Sequence, residues 1–197
     1  MDLKLAESSC SNMISHQERC IIITNESTIK NFKDDSLERP ALNTFSATFR
    51  EIRTFSRKLN GVISNDIFII SNKYGLIHQS QKIKNYSNKI KNIEELKELD
   101  EKLFLSKALL EKAQNYQFMI LVLPSFFINY LISQEWFKEL KPEQIIIIIS
   151  GKTLELKDKI PNRLLVLQRK GMARIGINNQ IQILNFISIF QKKKIIK

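Results

Sequence analysis

Ser71, Lys73 and Tyr86 are the residues whose types and spacing could carry chemistry. Ser71 and Lys73 stand one residue apart, directly after the apolar run Ile67 to Ile70. With Asn72 between them they offer a hydroxyl, an amide and an ammonium to a polar or anionic ligand. Lys73 would be the electrostatic or nucleophilic group of a catalytic site, and Ser71 would help to position the substrate. Tyr74 and Gly75 follow at once, and a glycine can take φ > 0 or let a ligand approach the backbone closely. The same residues also read as an ordinary turn at a strand end, with Lys73 only capping it.

Other candidates sit after other apolar runs. Asn25 and Glu26 follow Cys20 to Thr24 and would supply polar or acid–base groups, with Lys30 as a further cation. No glycine occurs from Asn25 to Lys30, so neither a Walker loop nor a dinucleotide fingerprint is present and no cofactor is expected. Ser150, Gly151 and Lys152 follow Ile145 to Ile149 in the same manner. No metal site is expected either. The chain has two histidines and two cysteines, without zinc-site spacing.

These positions need elements to hold them. Cys20 to Thr24, Ile67 to Ile70, Phe118 to Leu123, Ile145 to Ile149 and Leu164 to Leu167 are short apolar runs of strand length. Amphipathic patterns lie between them. One runs from Asn43 or Thr44 to Leu59, with Phe45, Phe49, Ile52, Phe55 and Leu59 as its stripe. Another runs from Glu94 to Gln114, and a last helix is expected over Asn178 to Phe190 with Ile181, Leu184 and Ile187 inward. Ile77 to Asn92 is polar and basic, and a segment of this length without regular structure is usually functional or flexible. The alternation predicts an α/β fold: a single three-layer domain with a mostly parallel sheet of about five strands and helices on both faces. Right-handed crossovers would then bring the loops after Thr24, Ser71, Leu123 and Ser150 to one edge of the sheet, where α/β proteins bind ligands. Residues 1–19 read as a flexible lead-in, 20–190 as the domain and 191–197 as a basic tail.

Charge bounds the partners. A formal net charge of +11 favours nucleic acid, nucleotides or another acidic partner. It equally suits a lysine-rich chain whose solubility charges are lysines. Arg50, Arg53, Arg57 and Lys58 lie mostly off the apolar stripe of their helix, as a solvated face or as phosphate contacts. No apolar run approaches the length needed to span a bilayer, so no membrane association is expected. The cysteine usage fits a reducing compartment, and the expectation is a soluble, cytoplasmic protein.

Ser71, Lys73, Tyr74, Gly75 and Leu76, continued by Ile83 and Tyr86, resemble the S-x-K-Y/H-G-L signature of an uncharacterised bacterial and phage family of small α/β domains. Pro40, Ala41, Phe45, Ser46 and Phe49 resemble that family's upstream pattern, and Gly171 to Gly176 its glycine-rich turn before a helix. The first loop, Thr24 to Lys30, lacks the family's thiol, and Pro124-Ser125 stands where relatives carry a glycine. The chain is more distantly similar to the domain of archaeosine synthase that works on a deazaguanine base in tRNA. The resemblance implies nucleotide or nucleic-acid association and a nucleobase-modifying or related enzyme. The alternative is a non-catalytic nucleic-acid-binding module, with lysines on phosphates and Tyr74 or Tyr86 as a stacking platform.

Overall fold

A computed structural model describes residues 18–27, 37–45, 49–86, 89–151, 159–160, 163–169 and 174–195. Strands form at the short apolar runs. These are β1 (Arg19–Asn25), β3 (Ser64–Ser71), β6 (Phe118–Val122), β7 (Ile145–Ser150) and β8 (Arg163–Gln168). Together with β4 (Gly75–His78) they make one sheet of order β4-β3-β1-β6-β7-β8. All neighbours pair in parallel except β3 and β4. The expected parallel sheet is present, with β4 added as a sixth strand.

Alternation along β1 splits the core in two. Ile21 and Ile23 face a cluster built with α3 (Ile93–Leu103), α4 (Leu105–Ala113) and α5 (Ser125–Ser133), through Leu96, Leu99, Leu109 and Phe127, joined by Trp136 beyond α5. Cys20 and Ile22 face Phe49, Ile52 and Phe55 of α2 (Phe49–Leu59) and Ile183 and Ile187 of α6 (Ile177–Ile195). A sheet covered on both faces explains why β6 and β7 are buried at every residue. Burying each such isoleucine or phenylalanine contributes about 1.5–3 kcal/mol. At the opposite, amino-terminal edge Asp66 is held by Arg19 and by the Tyr116 hydroxyl at 2.7 Å.

Four boundaries differ from the sequence expectation. The helix expected from residue 43 or 44 is two elements. The short α1 (Ala41–Thr44) ends where Phe45 turns extended, and α2 begins at Phe49. The expected helix 94–114 breaks at Phe104, which takes the left-handed conformation at φ 51°. Asp100 accounts for the break, because its carboxylate accepts the backbone N–H of Ser106 at 2.7 Å and caps α4. Periodicity cannot see a cap placed inside a continuous stripe. Within 77–92, β4 continues to His78 and β5 (Lys82–Ile83) pairs antiparallel with β2 (Arg39–Pro40). In α6 the buried isoleucines are Ile183 and Ile187, whereas Ile181 is half-exposed, because the helix is apolar on most sides and its period is ambiguous. No helix among the described residues is long and apolar enough to cross a membrane.

Candidate functional site

The carboxyl edge of β3 is shaped by one tight turn. Asn72, Lys73 and Tyr74 connect β3 to β4, and Ser71 pairs with Gly75 across the turn. The Ser71 hydroxyl oxygen accepts the backbone N–H groups of Lys73 at 3.3 Å and Tyr74 at 3.2 Å, which fixes the turn. Gly75 closes it at φ +69°, and a Cβ there would lie 3.2 Å from Leu103 Cδ1. Its glycine character therefore follows from the turn and from helix packing.

Ser71 is also the start of a buried hydrogen-bonded string. Its Oγ donates to the Tyr86 hydroxyl at 2.7 Å, and Tyr86 donates in turn to Glu26 Oε2. The other carboxylate oxygen, Oε1, accepts the N–H of Asn72 at 3.0 Å. Glu26 is 2% exposed and its own N–H extends the β1–β3 ladder to Ile70 at 2.9 Å. The string thus ties the loop after β1 to the turn after β3, and an acid is buried where both strands end. Tyr74 packs edge-on against Tyr86 with ring centroids 5.5 Å apart.

Burial, and then the Glu26 carboxylate, push the Tyr86 phenol above its ordinary value of 10.0, while the bond from Ser71 opposes them. A raised phenol stabilises the fold fully below pH 10, and that stability is lost as pH rises further, because the unfolded chain ionises first. Between pH 9 and 11, Tyr86→Phe should therefore lose about 1 kcal/mol less unfolding free energy than the unmodified protein. Urea unfolding at stepped pH measures this. Parallel curves for the two proteins would show that Tyr86 ionises as freely in the fold as outside it.

Sequence reasoning missed Arg174 as a site residue. Its Nη1 reaches Thr24 Oγ1 at 2.7 Å, the Asn25 carbonyl at 2.6 Å and Asn25 Oδ1 at 3.1 Å, while Nη2 reaches the Glu26 carbonyl at 2.9 Å. Thr24 Oγ1 donates onward to the Val122 carbonyl of β6 at 3.2 Å. From β1 the chain adds strands first on the β3 side and later on the β6 side, so the order reverses between β1 and β6. Such a reversal opens the usual ligand crevice of an α/β sheet. Here the Arg174 guanidinium fills its polar acceptors on the α2 side. Glu51 of α2 accepts the N–H of Ile175 at 3.1 Å, and Gln180 Nε2 donates to the Ile175 carbonyl at 3.0 Å, so the turn that carries Arg174 is itself held. Burial first, and Arg169 second, push Arg174 down to about 10, with Glu51 and Glu26 opposing. It stays charged at neutral pH. The one signal in the sequence was an arginine inside the Gly171–Gly176 turn.

The predicted candidates divide accordingly. Asn25, Glu26, Ser71, Tyr74, Gly75 and Tyr86 come together at the ends of β1 and β3. Lys73 is beside them but points outward, exposed, with its ammonium 5.3 Å over the Tyr74 ring. Asn25 pairs with Ile70, only three residues before Lys73, so the two share one edge. Ser150 lies two strands from β1, roughly 10 Å at the usual strand spacing, and is buried with its Oγ 3.1 Å from that of Ser125. Lys30 and Lys152 fall outside the described residues. Of the basic helix face, Arg53 donates to the Leu42 carbonyl at 3.3 Å and Lys58 to Gln180 Oε1 at 3.1 Å, so both have structural partners. Beside Asn72, on the α3 side, a groove of ≈ 390 Å³ is lined by Asn72, Lys89, Lys91, Glu95, Glu98, Leu99 and Lys102. Among the described residues no group of three or more His, Cys, Asp or Glu could hold a metal ion. No family model, curated protein or solved structure matches the chain.

Proposed function

We propose that the carboxyl edge around Lys73 binds a nucleotide, free or as one unit of a nucleic acid. The observation that carries this reading is Lys73 itself: an exposed ammonium on the turn that ends β3, with no carboxylate among the described residues within ion-pair distance. A cation held over a tyrosine ring, beside a polar groove large enough for a base or a sugar phosphate, suits an anion carrying a planar group. Asn72 is a half-buried amide at the same edge and can read a base edge. The test is a thermal-shift titration with mononucleotides. Binding to the folded state alone raises the melting temperature in proportion to the logarithm of ligand concentration, and a flat response to every nucleotide would remove the reading.

The second reading is a base-modifying enzyme: the half-buried Tyr86 hydroxyl, bonded to the Glu26 carboxylate, is the acid–base pair at this edge, whereas Ser71 is fully buried and holds the turn. If the protein is an enzyme, a bound nucleoside or RNA base returns from incubation with a changed mass. Unchanged mass in every base, with binding intact, assigns the site to recognition alone.

A further inference from the structure

We infer that the partner of this edge is a single strand of nucleic acid, whose phosphates follow a track of lysines across the 72–74 turn. This rests on the nucleotide reading and extends it from one unit to a polymer. No aspartate or glutamate occurs from Ile67 to Ile93, and that stretch carries Lys73, Lys82, Lys84, Lys89 and Lys91. The fold keeps these lysines together instead of scattering them. The Tyr74 hydroxyl accepts the N–H of Lys84 at 3.3 Å, which sets Lys84 on one side of the Tyr74 ring while the Lys73 ammonium lies over its face. Lys82 is two residues from Lys84, exposed on β5. On the other side of the turn, Asn72 opens into the groove with Lys89, Lys91 and Lys102.

Lys73, Lys82, Lys84, Lys91 and Lys102 are all exposed, and none has an ion pair with another described residue. Within the groove three lysines face two glutamates, and Glu95 Oε2 is occupied by the N–H of Lys91 at 2.9 Å. One phosphate can use two or three cations at one point. Cations on both sides of the turn, Lys73 and Lys84 at Tyr74 and the groove lysines beside Asn72, match a chain of phosphates. A concave groove suits an unstacked base, which a duplex does not present.

The experiment measures anisotropy of labelled 12-nucleotide oligouridylate and oligodeoxythymidylate, with a 12-base-pair duplex and uridine monophosphate as competitors, between 50 and 200 mM salt. The expected result is at least tenfold tighter binding of a single strand than of the mononucleotide. Its logarithmic salt slope should be steeper than about −2, since each phosphate contact on a single strand contributes about −0.7. The double variants Lys82→Gln/Lys84→Gln and Lys91→Gln/Lys102→Gln should each weaken the strand severalfold and flatten the slope by about 1.4, two contacts' worth, with unchanged melting temperatures. Whichever of the two single strands binds more tightly names the polymer. A 12-mer bound no tighter than the mononucleotide overturns the inference and leaves the nucleotide reading standing. Tight strand binding that ignores both double variants, or a duplex that competes as well as the strand, overturns it too. No binding of any of these probes sinks both.

Discussion

Arg174→Met lowers the unfolding free energy by about 3 kcal/mol, the largest loss expected from a single residue at this edge. Methionine keeps much of the volume, and the contact with Phe49, whose ring lies 5.5 Å from the guanidinium carbon, survives in apolar form. The donors are lost. The carbonyls of Asn25 and Glu26 and the Thr24 hydroxyl oxygen then have no guanidinium to accept from, in a place where Arg174 is only 8% exposed. A buried acceptor left unsatisfied costs about 1–3 kcal/mol. Part of that is offset, because burial already disfavours the arginine's charge, as its lowered pKa of about 10 records. Arg174→Lys should fall between the two proteins, since an ammonium satisfies fewer of these acceptors than a planar fork. Urea unfolding of the three proteins decides it. A methionine variant within about 0.5 kcal/mol of the parent, the range of an ordinary surface change, would mean that water takes over the carbonyls and that Arg174 does not hold the loop.

That arginine also marks the limit of what the sequence makes legible. Strands are readable because a β-branched run such as Ile145 to Ile149 has few other uses, and the order of strands and helices then restricts the sheet to few topologies. The turn at Ser71 to Gly75 is readable for the same reason: apolarity stops abruptly, and a glycine stands where a positive φ is needed. Tyr86, singled out with Ser71 in the sequence, bonds to it from fifteen residues on. Arg174 is separated from Asn25 by 149 residues, and no local pattern encodes that pairing. The break at Phe104 hides differently. A carboxylate from one helix caps the next, while the apolar stripe continues across both. Ile181 is lost to a third cause, since a helix apolar on most sides has no unique buried face. Long-range hydrogen bonds, internal caps and ambiguous periods are all settled by tertiary packing.

Lys73→Ala weakens the nucleotide response about tenfold or more while stability stays within about 1 kcal/mol of the parent. Two features set that small structural cost. The side chain is exposed, and its one ring contact, 5.3 Å from Tyr74, is of the exposed cation–π kind that contributes about 0.5–1 kcal/mol at most. The turn does not depend on the ammonium either, since Ser71 holds it through the backbone N–H groups of Lys73 and Tyr74, which alanine at 73 retains. The functional cost is larger. A lysine at the focus of the edge supplies a charge-assisted bond to phosphate, and losing one such bond weakens binding about tenfold or more, equivalent to 1.4 kcal/mol or more. Lys73→Arg separates the two roles left open for the cation. Arginine keeps the charge and grips phosphate at least as well, so a positioning role survives it, whereas a nucleophilic amine does not. Nucleotide-induced shifts that persist undiminished in Lys73→Ala would detach Lys73 from the site. A fall in melting temperature with the ligand response intact would return it to a purely structural part of the turn.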